Sequence, residues 1–366
     1  NLRGGKQVKI ERFSWCNFRN LQKGELVPDN NVNVIYGRNA QGKTNLLEGM
    51  WLFTGERSFR GSKDSELLHN GCSLGGIMLN FYAAGRSQVA KIKIAGGRRT
   101  VELNGIKKRS CTSLIGKFCA AVFSPEYLSL LYGGPAGRRN FMDAAICQIK
   151  PAYAGLFSKY SRSLAQRNAL LKDIPNHAEL MDTLDIWDER LVEAGMKIMR
   201  ARSAYVEKIA PYAEKFYSGM CGGREKFSLK YEQNAPDFAS ALQKSRRQDM
   251  LAGHTCVGPH RDDMAIIISG LDARAYGSQG QKRSAIIALK LAEAEMLKKA
   301  IGEAPVIFLD DVLSELDSER QNYLLNRLDG FQVFLTCCGP DISRFPGCGA
   351  VFKVEGGRPE ATCSLP

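Results

Sequence analysis

The 366-residue sequence predicts an α/β fold with three parts: a mixed, largely parallel core sheet, an antiparallel β subdomain and an inserted α-helical lobe. Near the N-terminus, a short apolar strand at 32–35 leads into a glycine-rich loop and then a helix. Near the C-terminus, the segment 306–309 is a near-continuous apolar run, typical of a buried parallel strand. Because helical periodicity separates these two signals, both ends of the chain are expected to build one core.

The glycine-rich loop carries the most specific motif. Residues 37–44, Gly-Arg-Asn-Ala-Gln-Gly-Lys-Thr, fit the phosphate-binding pattern G-x-x-x-x-G-K-[ST]. Its glycines let backbone N–H groups turn toward phosphates, and the helix start adds partial positive charge. Lys43 is predicted to reach the terminal phosphates of ATP, and the Thr44 hydroxyl to hold Mg²⁺. The predicted nucleotide contacts in the loop are Gly37, Arg38, Asn39, Ala40, Gln41, Gly42, Lys43, Thr44 and Asn45.

Alternating apolar residues in the first third of the chain predict β-strands, of which the last three form an antiparallel sheet. The predicted segments are 8–13, 77–81, 92–94 and 101–103. The dipeptide Asn104-Gly105 is a hairpin-turn signal that supports this sheet.

The middle of the chain predicts helices. Apolar residues from Trp187 to Tyr205 recur every three or four positions, and Pro211 is expected to interrupt the helix that they form. A helix at 281–300, ended by Gly302, and a strand at 331–336 return the chain to α/β structure. The predicted domains are an N-terminal head part at 1–137, a helical lobe at 138–251 and a C-terminal head part at 252–366.

The charge balance indicates a polyanionic partner. Lysine and arginine number 51 against 38 acidic residues, which gives a formal net charge of +13 and makes nucleic acid the leading candidate. The cations are spread in clusters, which suits a broad face that follows DNA phosphates. These clusters are Arg98-Arg99, Lys107-Lys108-Arg109, Arg138-Arg139, Arg246-Arg247 and Lys282-Arg283.

The cysteines and the hydropathy indicate the compartment. Eleven cysteines show no spacing suited to zinc, so reduced thiols are expected. No apolar run approaches the length of a membrane span, and the N-terminus lacks the apolar region of a signal peptide. A cytoplasmic protein without a membrane partner is therefore predicted.

A second motif completes a nucleotide site. The apolar segment 306–309 ends in Asp310-Asp311, at the edge where open α/β sheets place their ligands. Asp310 is predicted to hold Mg²⁺ opposite Thr44, and Asp311 to position the attacking water. Adjacent strand residues point to opposite faces, so the two carboxylates are expected to serve separate roles.

The segment 276–283 and the sequence Ser314-Glu315-Leu316-Asp317 change the interpretation. Their order around the Asp-Asp motif resembles the signature, Walker B and D-loop series of ABC-type ATPases. The resemblance implies an ABC-type P-loop ATPase head in which Ser278, Gly280 and Gln281 of one subunit contact the nucleotide bound by another. An ATP-dependent homodimer follows, with Lys43, Asp311 and Ser278 as the catalytic residues.

The chain most closely resembles the bacterial RecF family of DNA repair ATPases, along nearly its whole length. Several of the matching segments have no obvious ATPase chemistry, which makes the resemblance more specific. They are 17–20, 58–60, 124–126, 133–135 with Arg138-Arg139, 166–168 and 258–262. The resemblance implies binding to duplex DNA and single/double-strand junctions, slow ATP hydrolysis, and loading of RecA recombinase together with RecR and RecO.

Some alternatives stay open at this point. One is an ABC-type ATPase subunit of a transport or metabolic assembly without a DNA role. Its transporter version predicts a switch histidine, but Thr336-Cys337 stands at that position. A DNA-binding scaffold without hydrolysis is a third possibility. His260 serves either a structural turn or nucleotide sensing, and the Q-loop residue is not identified. Gln279 in place of a signature glycine, and Asp311 in place of glutamate, favour weak turnover.

Overall fold

The computed structural model describes residues 6–339 and 348–364. Its contacts divide the chain into two compact units. The first consists of the described parts of Asn1–Leu128, Lys215–Gly223 and Arg283–Pro366, and the second of Ser129–Glu214 and Arg224–Lys282. The limits of these units do not coincide with the boundaries expected at 137/138 and 251/252, which remain a prediction about where separate domains end.

The strands, numbered in chain order, are β1 (Lys9–Phe18), β2 (Leu21–Leu26), β3 (Val32–Tyr36), β4 (Leu74–Ala83), β5 (Arg86–Ala95), β6 (Arg98–Leu103), β7 (Ile106–Lys108), β8 (Ala120–Phe123), β9 (Phe227–Glu232), β10 (Asp263–Ile268), β11 (Leu271–Asp272), β12 (Val306–Leu309), β13 (Val333–Cys337), β14 (Cys348–Glu355) and β15 (Arg358–Ser364). The α-helices are α1 (Lys43–Trp51), α2 (Ser129–Tyr132), α3 (Pro135–Ile149), α4 (Ala152–Asp173), α5 (Met181–Cys221), α6 (Phe238–Ala252), α7 (Ala273–Tyr276), α8 (Gln279–Ile301) and α9 (Ser318–Asn326).

The first unit contains the predicted core sheet. Its strand order is β15-β14-β3-β13-β12-β8, and every neighbouring pair is parallel except β14 with β15. Strand β13 separates β3 from β12, in a register that aligns Val333 with Val32 and with Ile307. The carboxyl ends of β3 and β12 therefore lie at one edge of the sheet, where ligands bind in such folds.

The first unit also contains the predicted antiparallel sheet, with strand order β2-β1-β4-β5-β6-β7. Its inward side chains join the residues of α1 in one apolar cluster, which includes Phe13, Leu46, Leu79 and Ile92. The predicted hairpin turn is present, and Asn104 adopts a positive φ of 51°. Burial of this cluster fixes α1, and with it the glycine-rich loop, against the sheets.

The second unit consists of helices and a three-stranded sheet, β11-β10-β9. Strand β9 lies inside the region expected to be wholly helical, and its partner β10 follows more than thirty residues later. Helix α5 continues through Pro211, so the predicted interruption there was wrong. Buried side chains recur on both sides of the proline, at Ile209 and Ala213, and their packing outweighs the hydrogen bond that proline cannot donate.

Three arginines of the second unit are buried against carboxylates. Arg138 donates to both oxygens of Asp263, at 2.6 and 2.9 Å. Arg202 makes the same two-pronged contact with Asp143, with both distances at 2.8 Å. Charge-assisted, two-pronged bonds of this kind hold buried arginines in a fixed geometry. Arg138 is 0% exposed, so its expected place in a DNA-facing cluster was wrong.

The third buried arginine is Arg167, which bonds Asp188 at 2.5 Å and Asp249 at 2.7 Å. Asp188 also accepts a bond from Arg246, at 2.8 Å, so this residue of another predicted DNA-facing cluster is held by ion pairs within the unit. The family-specific segments around residues 138, 167 and 262 therefore form the polar interior of the second unit.

His260 takes part in the same interior. Its Nδ1 lies 2.7 Å from the Tyr160 hydroxyl, and its Nε2 lies 3.0 Å from the carbonyl oxygen of Thr255. A carbonyl only accepts, so Nε2 carries the proton and Nδ1 accepts from the tyrosine. Burial lowers the pKa of His260 to about 4, so the ring is neutral at pH 7. Both nitrogens are engaged inside the unit, which favours the structural of the two roles.

Across the part of the chain that the structure describes, no helix is both long and apolar enough to cross a membrane.

The neutral state of His260 predicts a pH-dependent stability. The folded pKa of about 4 lies below the usual value of 6.5, so the unfolded chain binds the proton more tightly. The contribution of the neutral His260 ring to the free energy of unfolding is therefore complete above about pH 6.5 and is lost as the pH falls toward 4. When the pH is lowered from 7 to 5, we expect the free energy of unfolding of the wild type to fall by at most about 2 kcal/mol more than that of His260→Gln.

Urea unfolding at both pH values, followed by circular dichroism, measures this difference. Equal losses in the wild type and His260→Gln would contradict a buried neutral histidine.

Candidate nucleotide-binding site

The glycine-rich loop has the backbone shape expected of a phosphate cradle. It follows β3 directly, and Gly42 caps the start of α1 with a φ of 110°. A Cβ atom on Gly42 would lie 2.7 Å from Asn20 Oδ1 and 2.9 Å from Leu21 Cδ2. Gly37 is equally constrained, because its Cβ would lie 2.4 Å from the carbonyl oxygen of Val354. A side chain at either position would strain the backbone and collide with neighbouring atoms, so both positions require glycine.

Lys43 lies within the loop. Its ammonium group donates to the carbonyl oxygens of Gly37, at 2.6 Å, and Arg38, at 3.0 Å. The residue is 7% exposed, so the charge is held close to the loop backbone. This arrangement places a buried cation and the positive end of a helix at one point, which is the electrostatic requirement of an anion site.

The structure brings together the two predicted Mg²⁺ ligands. Thr44 Oγ1 donates to Asp310 Oδ1 at 2.9 Å, although 266 positions separate them in the chain. The Thr336 hydroxyl donates to the same oxygen, also at 2.9 Å. Burial raises the pKa of Asp310 to about 6, and the two hydroxyl donors act in the opposite direction. A hydroxyl and a carboxylate in contact are hard oxygen ligands, as Mg²⁺ requires.

Asp311 follows Asp310 with a left-handed backbone, at a φ of 51°. Strand β12 ends at Leu309, so neither aspartate belongs to it and the argument from alternating strand faces was wrong. The N–H of Asp311 donates to Thr336 Oγ1 at 2.9 Å.

Thr336 is the residue that the sequence interpretation missed. Its hydroxyl donates to Asp310 and accepts from the Asp311 backbone, so one side chain fixes both acidic residues. In the sequence, Thr336 was marked only by its position at the end of an apolar strand, where related ATPases carry a switch histidine. The structure shows that a hydroxyl at this position has a defined geometric task.

The segment 17–20 supports the loop from one side. Asn20 Nδ2 donates to the carbonyl oxygen of Ala40 at 3.3 Å, and its Oδ1 accepts from Asn45 at 2.8 Å. The Asn45 oxygen in turn accepts from Arg60, at 3.0 Å. Two of the family-specific segments, 17–20 and 58–60, are thus joined through the first turn of α1.

Arg19 anchors the helix itself. Its guanidinium donates to both oxygens of Glu48 on α1, at 2.8 and 2.6 Å. The Ser58 hydroxyl also donates to this carboxylate, which is fully buried. Arg19 has a φ of 54°, an uncommon conformation for a non-glycine residue that the ion pair helps to hold.

The C-terminal hairpin supports the other side of the loop. The N–H of Gly357 donates to the Gln41 carbonyl at 3.1 Å, and that of Gly356 donates to Gln41 Oε1 at 2.7 Å. These bonds come from the turn between β14 and β15, which carried no motif. Gln41 is thus held through both its backbone and its side chain.

The predicted signature residues lie in the second unit. The N–H of Ser278 donates to Gln281 Oε1 at 2.8 Å, and the N–H of Gln281 donates to Ser278 Oγ at 3.2 Å. This reciprocal pair is a capping box at the start of α8. Gln281 Nε2 also donates to Glu225, at 2.8 Å. Ser278 is exposed, and Gly280 follows in the first turn of the helix.

A family model described as the RecF/RecN/SMC N terminal domain matches residues 9–344. A protein of Agathobacter rectalis, named DNA replication and repair protein RecF, is 41% identical over 335 residues, covering 91% of this chain and 92% of that protein. A protein of the same name from Acetivibrio thermocellus is 35% identical over 364 residues, with coverage of 95% and 99%.

Solved structures agree with these relatives. One described as the recombination mediator protein RecF-ATP in the RecFOR pathway has a TM-score of 0.93 at 36% identity, covering 99% of this chain and all of that one. An Smc head domain derived from Pyrococcus furiosus has a TM-score of 0.57 at 14% identity, covering 97% and 96%. The second likeness is one of fold alone, and it agrees with the predicted ATPase-head architecture.

The buried position of Glu48 predicts the effect of removing its partner. In Arg19→Met the carboxylate keeps its burial and loses its counter-ion, so we expect about 3–5 kcal/mol of destabilisation. The matched control is Arg12→Met, which breaks the Arg12–Glu25 pair, in which both side chains are about half exposed. That change is expected to cost less than about 1 kcal/mol. Denaturant midpoints compare them, and similar shifts in both variants would contradict the anchoring role.

Proposed function

The chain belongs to the RecF family of DNA replication and repair proteins, and from this membership we propose that it is an ATP-gated DNA-binding protein with slow hydrolysis. The supporting observation is the hydrogen bond between Thr44 and Asp310, which joins the phosphate loop to the acidic motif. The alternative of a transporter or metabolic subunit without a DNA role is not supported, because the near full-length relatives are DNA replication and repair proteins.

The residues of the site fit MgATP. A cradle of glycines without room for side chains, a buried ammonium and a hydroxyl in contact with a carboxylate are the donors and acceptors that this ligand needs. Lys43 would hold the terminal phosphates, and Thr44 and Asp310 would hold Mg²⁺, which proteins bind through one or two carboxylates and substrate phosphates. Bound MgATP supplies the phosphoanhydride bond that is hydrolysed.

Asp311 is the proposed group that positions the attacking water. Its backbone N–H is bonded to the Thr336 hydroxyl, which also bonds to Asp310, so the backbone that carries its side chain is fixed relative to Asp310 before any substrate arrives. A preorganised carboxylate lowers the cost of orienting water. An aspartate is one methylene shorter than the glutamate of many relatives of the fold, which agrees with slow turnover.

The second half of the site is proposed to come from another copy of the chain. Ser278, Gly280 and Gln281 lie at the start of α8, where Ser278 is exposed, and a helix start favours an anion. ATP shared between two copies stabilises the dimer over the monomer, and hydrolysis releases it. Two-fold symmetry then gives two equivalent sites.

The net charge of +13 supports DNA as the partner of this dimer. Contacts to phosphates give an affinity that is largely independent of sequence and falls steeply with salt. A solved relative is described as a recombination mediator of the RecFOR pathway. We therefore propose action with RecR and RecO in loading RecA at junctions of single- and double-stranded DNA, in the cytoplasm.

Duplex binding tests the proposal directly. Fluorescence anisotropy of a labelled duplex should show at least tenfold tighter binding with MgATP than without nucleotide, and a strong decrease as salt is raised. Lys43→Ala should lose ATP binding and the ATP effect together. Ser278→Ala should bind ATP normally as a monomer and still fail to dimerise or to tighten on DNA.

Light scattering with and without ATP measures the molecular mass, and so detects dimer formation in the absence of DNA. If Lys43→Ala still formed ATP-dependent dimers, the gating mechanism would be contradicted. Loss of ATP binding by monomeric Ser278→Ala would instead overturn the assignment of Ser278 to the second copy. A scaffold without hydrolysis instead predicts no turnover in the wild type and no effect of Asp311→Asn in any assay.

Thr336 provides a test of positioning. Thr336→Val removes the acceptor of the Asp311 N–H and one donor to Asp310, so we expect kcat for ATP hydrolysis to fall about tenfold or more. Thr336→Ser keeps the hydroxyl and should restore most of the rate. The KM for ATP should change less than kcat. Failure of serine to rescue the rate would point to lost packing and would contradict the positioning role.

A further inference from the structure

The antiparallel sheet of the first unit has two different faces. Along β5, Ile92 and Ile94 are buried in the apolar cluster, whereas Lys91 and Lys93 are exposed. Because successive residues of a strand point to opposite sides, the strand register assigns the residues paired with these two lysines to the same side of the sheet. We call this side, which is turned away from the apolar cluster, the outer face.

The acidic groups of the outer face are engaged within the sheet. Two of the carboxylates pair with cations of the neighbouring strand, Glu25 with Arg12 at 2.9 Å and Glu102 with Lys91 at 3.2 Å. The third, Glu11, lies at the bulge of β1 and accepts from a serine hydroxyl of β5 at 2.7 Å. None of the three is therefore left to balance the other cations of this face.

Five further cations of the outer face form no ion pair with a carboxylate in residues 6–339 and 348–364. Four of them are exposed and one, Lys9, is half-buried. The five are Lys9, Lys23, Lys93, Arg98 and Lys107. Together with Arg12 and Lys91 they make seven cations against three carboxylates, so the face has a net charge of +4.

Protection of the sheet edges does not account for all of these cations. Lysines on edge strands hinder pairing with another chain, which is a sufficient reason for Lys23 on β2 and Lys107 on β7. Lys93 lies on β5, which has β4 on one side and β6 on the other. Its paired residues are Gly76 and Thr100, so its neighbours on both strands are small. A large ligand can therefore approach this central lysine.

The outer face lacks the aromatic surface that single-stranded nucleic acid needs. Within the six strands of this sheet, the aromatic residue on the outer face is Tyr82, which lies six positions along β4 from Gly76, the partner of Lys93. Single strands bind by stacking their bases on aromatic side chains. Lysine is a point charge and not the planar fork that reads base edges. A low surface of lysines without stacking rings fits the phosphates of a duplex.

We propose that the outer face binds the phosphate backbone of double-stranded DNA, with the duplex lying across the strands. Neighbouring strands are about 4.8 Å apart, so Lys23 on β2 and Lys107 on β7 are separated by about 24 Å. Duplex DNA carries about 14 phosphate charges over this length, and those turned toward the sheet meet its cations. Lys93 lies between the two ends, so the cations are distributed along the whole width of the sheet.

The inference rests on the proposed DNA-binding function and assigns that function to a surface. The test variant is Lys23→Gln/Lys93→Gln/Lys107→Gln, which removes one cation at each edge and one in the middle of the sheet. None of the three residues belongs to the nucleotide site. Both ATP-analogue binding and ATP-dependent dimerisation should therefore match the wild type, which shows that the variant is folded.

The matched control variant is Lys172→Gln/Lys208→Gln/Lys244→Gln. It removes three exposed lysines of α4, α5 and α6, in the second unit. Each variant lowers the formal net charge from +13 to +10. A difference between the two variants therefore measures the position of the charges and not their number.

Fluorescence anisotropy of a labelled duplex with MgATP compares the variants. The test variant should bind about tenfold more weakly or worse, and its slope of log affinity against log salt should be smaller by about 2–3, because each lost phosphate contact removes about 0.9. The control variant should stay within about twofold of the wild type. In the wild type, duplex should protect Lys93 and Lys107 from acetylation, read by mass spectrometry, and leave Lys208 and Lys244 unprotected.

Equal losses of affinity in the two variants would show an effect of net charge alone and would overturn the inference. A loss of affinity for a single strand as large as that for the duplex would overturn the assignment to double-stranded DNA. If the wild type binds no duplex, the proposed function falls and the inference falls with it. If the wild type binds duplex and the test variant binds it as tightly, the inference alone is overturned.

Discussion

The contact between Thr44 and Asp310 depends on one constraint, the parallel register of β3, β13 and β12. Two residues near opposite ends of the chain meet because three strands end at one edge of the same sheet. Thr336 stands at the end of the middle strand and bonds to Asp310 and Asp311, on its β12 side. A shift in the register of β13 would misplace the Thr336 hydroxyl and separate Thr44 from Asp310, the two proposed Mg²⁺ ligands. The core sheet is therefore the device that assembles the site.

A second constraint, the pairing of buried charges, explains three of the family-specific segments that have no obvious ATPase chemistry. Arg19, Arg138 and Arg167 in these segments, and Arg202 outside them, each pair with a buried or nearly buried carboxylate, and none can be removed without leaving a charge in a low-dielectric interior. Such pairs add little net stability compared with apolar residues, but they fix geometry, because two-pronged bonds have one good orientation. We infer that they maintain a single arrangement of the loop support in the first unit and of the helices in the second.

The sequence predicted what depends on short-range pattern. The strand, loop and helix around Lys43 and the strand before Asp310 could be located because a few neighbouring residues determine each. Strand β9 was missed although its segment Phe227–Glu232 alternates apolar and polar residues and follows Gly222-Gly223, which is a local strand signal; the helical pattern on either side was extended across it. The buried arginines were out of reach, since Arg138 and an exposed arginine look alike until their acidic partners are placed. Pro211 shows the reverse case, in which tertiary packing overrides a local rule.

The signature serine raises a question of compatibility, because one hydroxyl is assigned both to a helix cap and to a nucleotide contact. In the cap, Ser278 Oγ accepts from the N–H of Gln281, which uses a lone pair of the oxygen and leaves its proton unused by that bond. A phosphate oxygen accepts protons and needs a donor. The cap also holds the serine side chain at the helix start, where the helix dipole favours an anion. Capping therefore leaves the hydroxyl proton available for the proposed contact with a second subunit's nucleotide, so the cap and the proposed contact are compatible at Ser278.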